Sequence, residues 1–190
     1  MSESSDTSRE SGLSALMVAY QGGDFGAFEE LYRHLAPKLR GYLTSLTWSS
    51  ALAEDLLQET FLQLHRSRRT YLPPRPVAPW AFAVARHVYL MHRRAAARLS
   101  KHEAGDLEEL PEVPVPPAVE NLAARDSLTR ALGRLTEDRR EAVLLHHVFG
   151  FTFVEIGSLL GIRAGTAKLR AHRAILSLRE SLEREPIGEK

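Results

Sequence analysis

Apolar positions recur at three- and four-residue spacing along most of the chain, which is the period of amphipathic helices. A short helix is predicted over Leu13–Gln21, ending at Gly22-Gly23. Asp24 then caps a long helix to Leu46, whose inward row is Phe28, Leu31, Tyr32, Leu35, Leu39 and Leu43, with Pro37 as the site of any bend. A third helix, Ala51–Arg66, buries Leu52, Leu56, Leu57, Thr60, Phe61 and Leu64. A fourth, from Trp80 to Leu99, turns Trp80, Val84, Val88 and Met91 inward. Further on, Leu122, Leu128 and Leu132 mark a helix ending near Leu135, and Thr136 caps another that ends near Gly150.

The last stretch is the most patterned. Phe153, Ile156, Leu159 and Leu160 fit a short helix that Gly161 breaks, with Ile162 filling the corner. A new helix begins at Gly165-Thr166 and points Ala167, Ala171, Ala174 and Leu178 inward. Two short helices about a glycine turn form a helix-turn-helix, whose second helix enters the major groove of DNA. That helix carries the matching chemistry: Arg163, Lys168, Arg170, His172 and Arg173 crowd its first turns.

The breaks in periodicity divide the chain. Residues 1–12 are rich in serine and acid, with nothing to bury, and are expected to be a disordered tail. The segment from Thr70 to Pro79 holds four prolines and predicts a stiff, non-helical loop. Residues 101–118 are acidic and proline-rich, so they read as an extended linker. The expected architecture is all-α: one helical domain over 13–100, a second over 119–184 containing the helix-turn-helix, and a tail over 185–190.

A formal net charge of +1 hides strongly opposed segments. Glu54–Arg98 carries eight arginines against three carboxylates, and Arg163–Arg184 carries six basic residues against two acids. Between them, Glu103–Glu120 has six acids and no lysine or arginine. Two basic blocks around an acidic connector suggest two contacts with a polyanion. The absence of cysteine rules out disulfides and thiolate metal sites in this chain. Its polar N-terminus and lack of long apolar runs point to a soluble, cytoplasmic protein without membrane insertion. The eight histidines are scattered, with no metal-ligand spacing. With no nucleophile constellation, phosphate loop or carboxylate pair either, neither a metal nor a cofactor is expected, and there are no candidate catalytic residues.

Four blocks in this order resemble the extracytoplasmic-function (ECF) sigma factors, the transcription initiation subunits of bacterial RNA polymerase. They are GGDFGAFEELY from Gly22, AEDLLQETFLQLHR from Ala53, RPVAPWAFAVARHVYLMHRR from Arg75, and LTEDRREAVLLHHVFGFTFVEIGSLLGIRAGTAKLRAHRA from Leu135. The resemblance spans about Ala19–Leu182 and implies sigma region 2 followed by region 4. It implies that Asp55, Gln58, Glu59 and Gln63, a polar face of the third helix, dock on the clamp of the polymerase β′ subunit, with the β flap as a second contact. It also implies that Arg75, Trp80, Arg86, His87, Arg93 and Arg94 serve the −10 element, where separated strands need cations and stacking faces. The loop about Thr70–Pro76 corresponds to one that captures a flipped base in the family, but is unusually rich in proline here. Tyr71 is a further candidate for stacking.

Arg163, Thr166, Lys168, Leu169, Arg170, His172 and Arg173 would meet the −35 duplex. Leu169 stands where the family usually has a small polar residue, and Ala171 where it usually has a larger apolar one. An apolar contact of Leu169 with a thymine methyl is one reading, and a partner-facing surface leucine the other. An anti-sigma factor is the further partner the resemblance implies. Two alternatives are a stand-alone helix-turn-helix regulator, which has no use for the face at Asp55–Gln63, and a sigma-like interaction protein that titrates an anti-sigma factor.

Overall fold

The computed structural model describes the backbone of residues 3–103 and 122–184 and the side chains of residues 10–98 and 127–184. Eight α-helices occur among the described residues, with no strand: α1 (Glu3–Gln21), α2 (Phe25–Thr47), α3 (Ser50–Ser67), α4 (Val77–Glu103), α5 (Leu122–Gly133), α6 (Glu137–His147), α7 (Phe153–Leu160) and α8 (Ala164–Arg184). The first four make one compact unit and the last four another, the corner Ser45–Ser50 being grouped with the second. The expected linker beyond Glu103 and the expected tail at 185–190 lie outside the described residues.

In the first unit the apolar rows meet as their spacing predicts. Leu31, Leu35, Leu39 and Leu43 of α2 are buried, as are Leu56, Leu57, Thr60, Phe61 and Leu64 of α3. Each fully buried leucine contributes about 1.5–3 kcal/mol of transfer free energy. Aromatic rings join the helices: Tyr20 lies 5.0 Å from Phe28, and Tyr32 lies 4.5 Å from Phe61. Thr60 satisfies its buried hydroxyl on the Leu56 carbonyl at 2.6 Å. Asp24 caps α2 as expected, its Oδ1 accepting from the Ala27 amide at 3.2 Å. Helix α2 runs through Pro37, whose ring is exposed, so the carbonyl it strands on Arg33 can face water.

Several expectations fail for identifiable reasons. Helix α1 begins at Glu3, well ahead of the expected start at Leu13, and its Glu10, Ser14 and Gln21 side chains bond to other elements. Helix α4 opens at Val77, not Trp80, because Pro79 lies in a first turn where a missing N–H costs nothing. Its far end reaches Glu103, so the start of the expected linker is helical. Tyr32, Met91 and Leu128, expected inward, are 41%, 50% and 44% exposed. Thr136 stands at the N-cap of α6 without a side-chain capping bond; Glu137 and Asp138 supply the favourable charge there instead.

The second unit packs Ala131 and Leu135 against Val143, Ala174 and Leu178, with Leu132, Leu144 and Ile175 around them. Small side chains let α8 approach closely. Ala167, Ala171 and Ala174 are all but inaccessible, as their inward spacing predicts.

Candidate nucleic-acid interface

Local chemistry fixes the helix-turn-helix at both ends of α7. Thr152 Oγ1 accepts from the Glu155 amide at 3.3 Å, and Glu155 Oε2 accepts from the Thr152 amide at 2.8 Å, a reciprocal capping box. Gly161 ends the helix at φ 70°, the left-handed conformation that glycine adopts without strain. The Gly157 carbonyl accepts from Ile162 at 2.9 Å, drawing the turn over α7. A Cβ on Gly157 would stand 2.8 Å from the Ile162 carbonyl oxygen, so the turn can close only over a glycine. The sequence pattern marks Gly161 as the breaker but gives no sign of Gly157, because close backbone approach leaves no trace in periodicity.

Before α7, the His146 ring stacks on Phe153 at 4.1 Å, and its Nδ1 lies 2.9 Å from the Phe151 carbonyl oxygen, so that nitrogen carries the proton. The chain enters the motif through this clasp. His146 is thereby accounted for as packing, and among the described residues no group of three metal-ligating side chains comes together.

The outward side of α8 holds most of the residues expected at the −35 duplex. Arg163, Thr166, Lys168, Leu169, His172 and Arg173 are exposed on its first turns or just ahead of them. The unpaired amides of a helix N-terminus and these cations favour phosphate oxygens. Leu169, 47% exposed, lies on the side opposite the alanine row, next to His172 and Arg173. Arg170 departs from the group. Its Nη2 pairs with Asp138 Oδ2 at 2.7 Å, which turns it toward α6.

In the first unit, Arg86 and Arg93 lie seven residues apart along α4, as do His87 and Arg94, making two adjacent rows. His87, Arg93 and Arg94 are exposed and Arg86 is partly covered. The Arg93 guanidinium sits 5.9 Å from the Tyr89 ring centroid. Arg75 is exposed in the proline loop. Trp80 and Tyr71 are not free stacking faces. Their rings pack together at 5.5 Å, Tyr71 is 3% exposed, and Trp80 lines an apolar hollow with Met17, Tyr20 and Leu64. Trp80 is therefore partly buried in the packing of the first unit.

The polar face of α3 is present. Asp55 and Gln58 are exposed, while Glu59 and Gln63 are partly covered and joined by a 2.8 Å bond from Gln63 Nε2 to Glu59 Oε1. Arg66 reaches the same oxygen at 3.7 Å. Leu62 shares this face and is 51% exposed. The sequence reading passed over it, since a single apolar residue inside a polar stripe carries no periodic signal.

Residues 31–99 match the family described as Sigma-70 region 2, and residues 125–178 match Sigma-70, region 4. The RNA polymerase sigma factor CarQ of Myxococcus xanthus is 40% identical over 169 residues, covering 87% of this chain and 95% of that protein. The ECF RNA polymerase sigma factor SigF of Caulobacter vibrioides is 32% identical over 180 residues, covering 94% of this chain and 98% of its own. Among solved structures, the sigma factor RpoE of Bartonella quintana, crystallised with the anti-sigma factor NepR, superimposes with a TM-score of 0.68 at 25% identity, covering 82% of this chain and 96% of that one. CnrH, in complex with the cytosolic domain of CnrY, shares the fold at a TM-score of 0.67 and 22% identity, covering 90% of this chain and 97% of that one.

Proposed function

The chain belongs to the ECF sigma factors, and from that membership we propose a division of labour among its surfaces. As a transcription initiation factor, it joins core RNA polymerase at promoter DNA. Asp55, Gln58, Glu59 and Gln63, with Leu62 among them, form the face that docks on the β′ clamp, and region 4 meets the β flap. Arg163, Thr166, Lys168, Leu169, His172 and Arg173 meet the −35 duplex. Arg75, Arg86, His87, Arg93 and Arg94 hold −10 DNA after melting, with Trp80 partly buried at the start of α4. The first helical unit then serves the polymerase and the −10 element, and the second serves the −35 element.

The phosphodiester chemistry belongs to the polymerase, and this chain contributes binding and positioning. It works in the cytoplasm, where the polymerase is; among the described residues no helix is long and apolar enough to cross a membrane. An anti-sigma factor is the remaining partner, as the Bartonella quintana complex illustrates for its own sigma factor.

The observation that carries this reading is the presence in one chain of the basic outward side of α8 and the acid-and-amide face of α3. DNA would repel Asp55 and Glu59, so their face needs a partner of another kind. The test is run-off transcription with purified core polymerase and a genomic promoter library, with Asp55→Ala/Glu59→Ala alongside. New start sites that weaken in the double variant are expected. A protein that shifts duplex DNA without polymerase and yields no transcripts would be a stand-alone regulator. One that does neither yet captures an anti-sigma factor would be a titrating protein.

A further inference from the structure

The proline loop is anchored by helix α1, whose first turns lie ahead of the helix that the sequence pattern predicts from Leu13. Along α1, Glu10, Ser14, Met17 and Gln21 recur at spacings of four, three and four, one stripe of the helix. Met17 is buried, and each polar member of the stripe bonds to the loop or its roots. Gln21 Nε2 donates to the Arg68 carbonyl at 2.7 Å and to the Tyr71 carbonyl at 2.9 Å, using both amide protons on the incoming root. Tyr71 donates its hydroxyl proton to the Arg75 carbonyl. Its phenol oxygen lies 2.9 Å from Ser14 Oγ, so the serine is the donor in that pair. On the outgoing root, Glu10 Oε1 accepts from the Ala78 amide at 2.9 Å. That amide belongs to the first turn of α4, which has no partner for it within the helix.

Both roots are therefore held through main-chain groups, while Leu72, Pro73, Pro74, Arg75 and Pro76 between them are all exposed. The tip offers an apolar side chain in Leu72 and a cation in Arg75, the two kinds of group that hold an unstacked base and its phosphate. A tip held in one conformation before binding loses less entropy when it takes a nucleotide.

We propose that α1 is a positioning element for −10 recognition: Glu10, Ser14 and Gln21 fix the loop so that its tip meets a base of the separated strand in one shape. This rests on the reading of the loop as the holder of such a base. Because the anchors grip main-chain atoms, the tip residues can change without loosening them.

The test uses the full chain with core polymerase on promoters carrying each base in turn at every −10 position. Opening is followed by a fluorescent base analogue, and core affinity, −35 duplex affinity and melting temperature are measured in parallel. Glu10→Ala should lower discrimination at one −10 position by roughly five-fold, the effect of about one lost hydrogen bond, and Gln21→Leu, which loses two, should lower it further. Core and −35 affinities should be unchanged. Glu10→Gln keeps an acceptor oxygen and should restore discrimination. Unchanged discrimination in both variants, with Leu72→Ala or Arg75→Ala lowering it, would overturn the role of α1 alone. A uniform loss of every activity with a lowered melting temperature would also overturn it, since α1 would then only hold the fold. If the Leu72 and Arg75 variants change nothing either, the reading of the loop itself falls.

Discussion

Arg170 on the recognition helix points back to Asp138 in the first turn of α6, with 2.7 Å between Nη2 and Oδ2. The pair divides the cations of α8 into those that face outward and one that braces the helix. At its exposure it contributes at most about 1 kcal/mol to stability, so its larger effect is on where the charge is presented.

Salt dependence of −35 duplex binding will separate the two classes. Arg173→Ala should lower the slope of log affinity against log salt by about one, the loss of a phosphate contact. Arg170→Ala should leave the slope as it is, and Asp138→Ala should raise it by freeing the guanidinium. An equal fall for Arg170→Ala and Arg173→Ala would show that the ion pair opens on DNA.

Gly157→Ala should destabilise the second unit by about 1–3 kcal/mol, because the new methyl meets main-chain atoms of Ile162 and Ala164 at 2.8 and 3.1 Å. Gly161→Ala meets no atom within 4 Å, but its φ of 70° is strained for any other residue, at about 1 kcal/mol. Denaturation of the full chain followed by a probe in the second unit would read both losses. A stable Gly157→Ala protein would mean that the turn is looser than the structure shows.

Leu169 is exposed on the outward side of α8, the side proposed to meet the −35 duplex, so a contact with a thymine methyl can be tested directly. Replacing each −35 thymine by uracil removes only that methyl, and one position should lose about four-fold in affinity. Leu169→Ser should bind the two bases there alike. Full sensitivity to the methyl in the serine variant would assign Leu169 to a protein partner instead.

Alkaline stability should report on Tyr20. Burial pushes its phenol above the ordinary 10.0, with the Arg68 guanidinium opposing. Below that value the folded and unfolded chains are both protonated, so the contribution is intact. As pH rises past it, the unfolded chain ionises first and stability falls. Denaturation from about pH 9 to about pH 11 should therefore show a flatter decline in Tyr20→Phe than in the parent. Identical declines would mean that this phenol does not control the alkaline limb.

The core was legible wherever one helix face packs along its whole length: the alanine row of α8 follows its spacing residue by residue, and so do the leucines of the α2 row, though Tyr32 in that row is 41% exposed. Met91 was misread because amphipathic spacing shows that a helix has an apolar face but not how far its neighbours extend along it. Glu10 and Gln21 were missed for another reason. Their partners, Ala78, Arg68 and Tyr71, lie 47 to 68 residues away, and bonds from polar side chains to distant main chain leave no local pattern. Tyr71 illustrates the converse: residue type suggested stacking on bases, and its 3% exposure leaves no free ring face for it.

The alanines at 167, 171 and 174 separate two kinds of inheritance along a single helix. Their methyls carry the packing, and the outward positions 166, 169, 172 and 173 take no part in it. On the proposed −35 role of those positions, substitutions there would redirect the protein to a different set of genes without compensating changes in the core. A lineage that duplicates such a gene can give the copy a new regulon through a few point changes while its fold stays as it was.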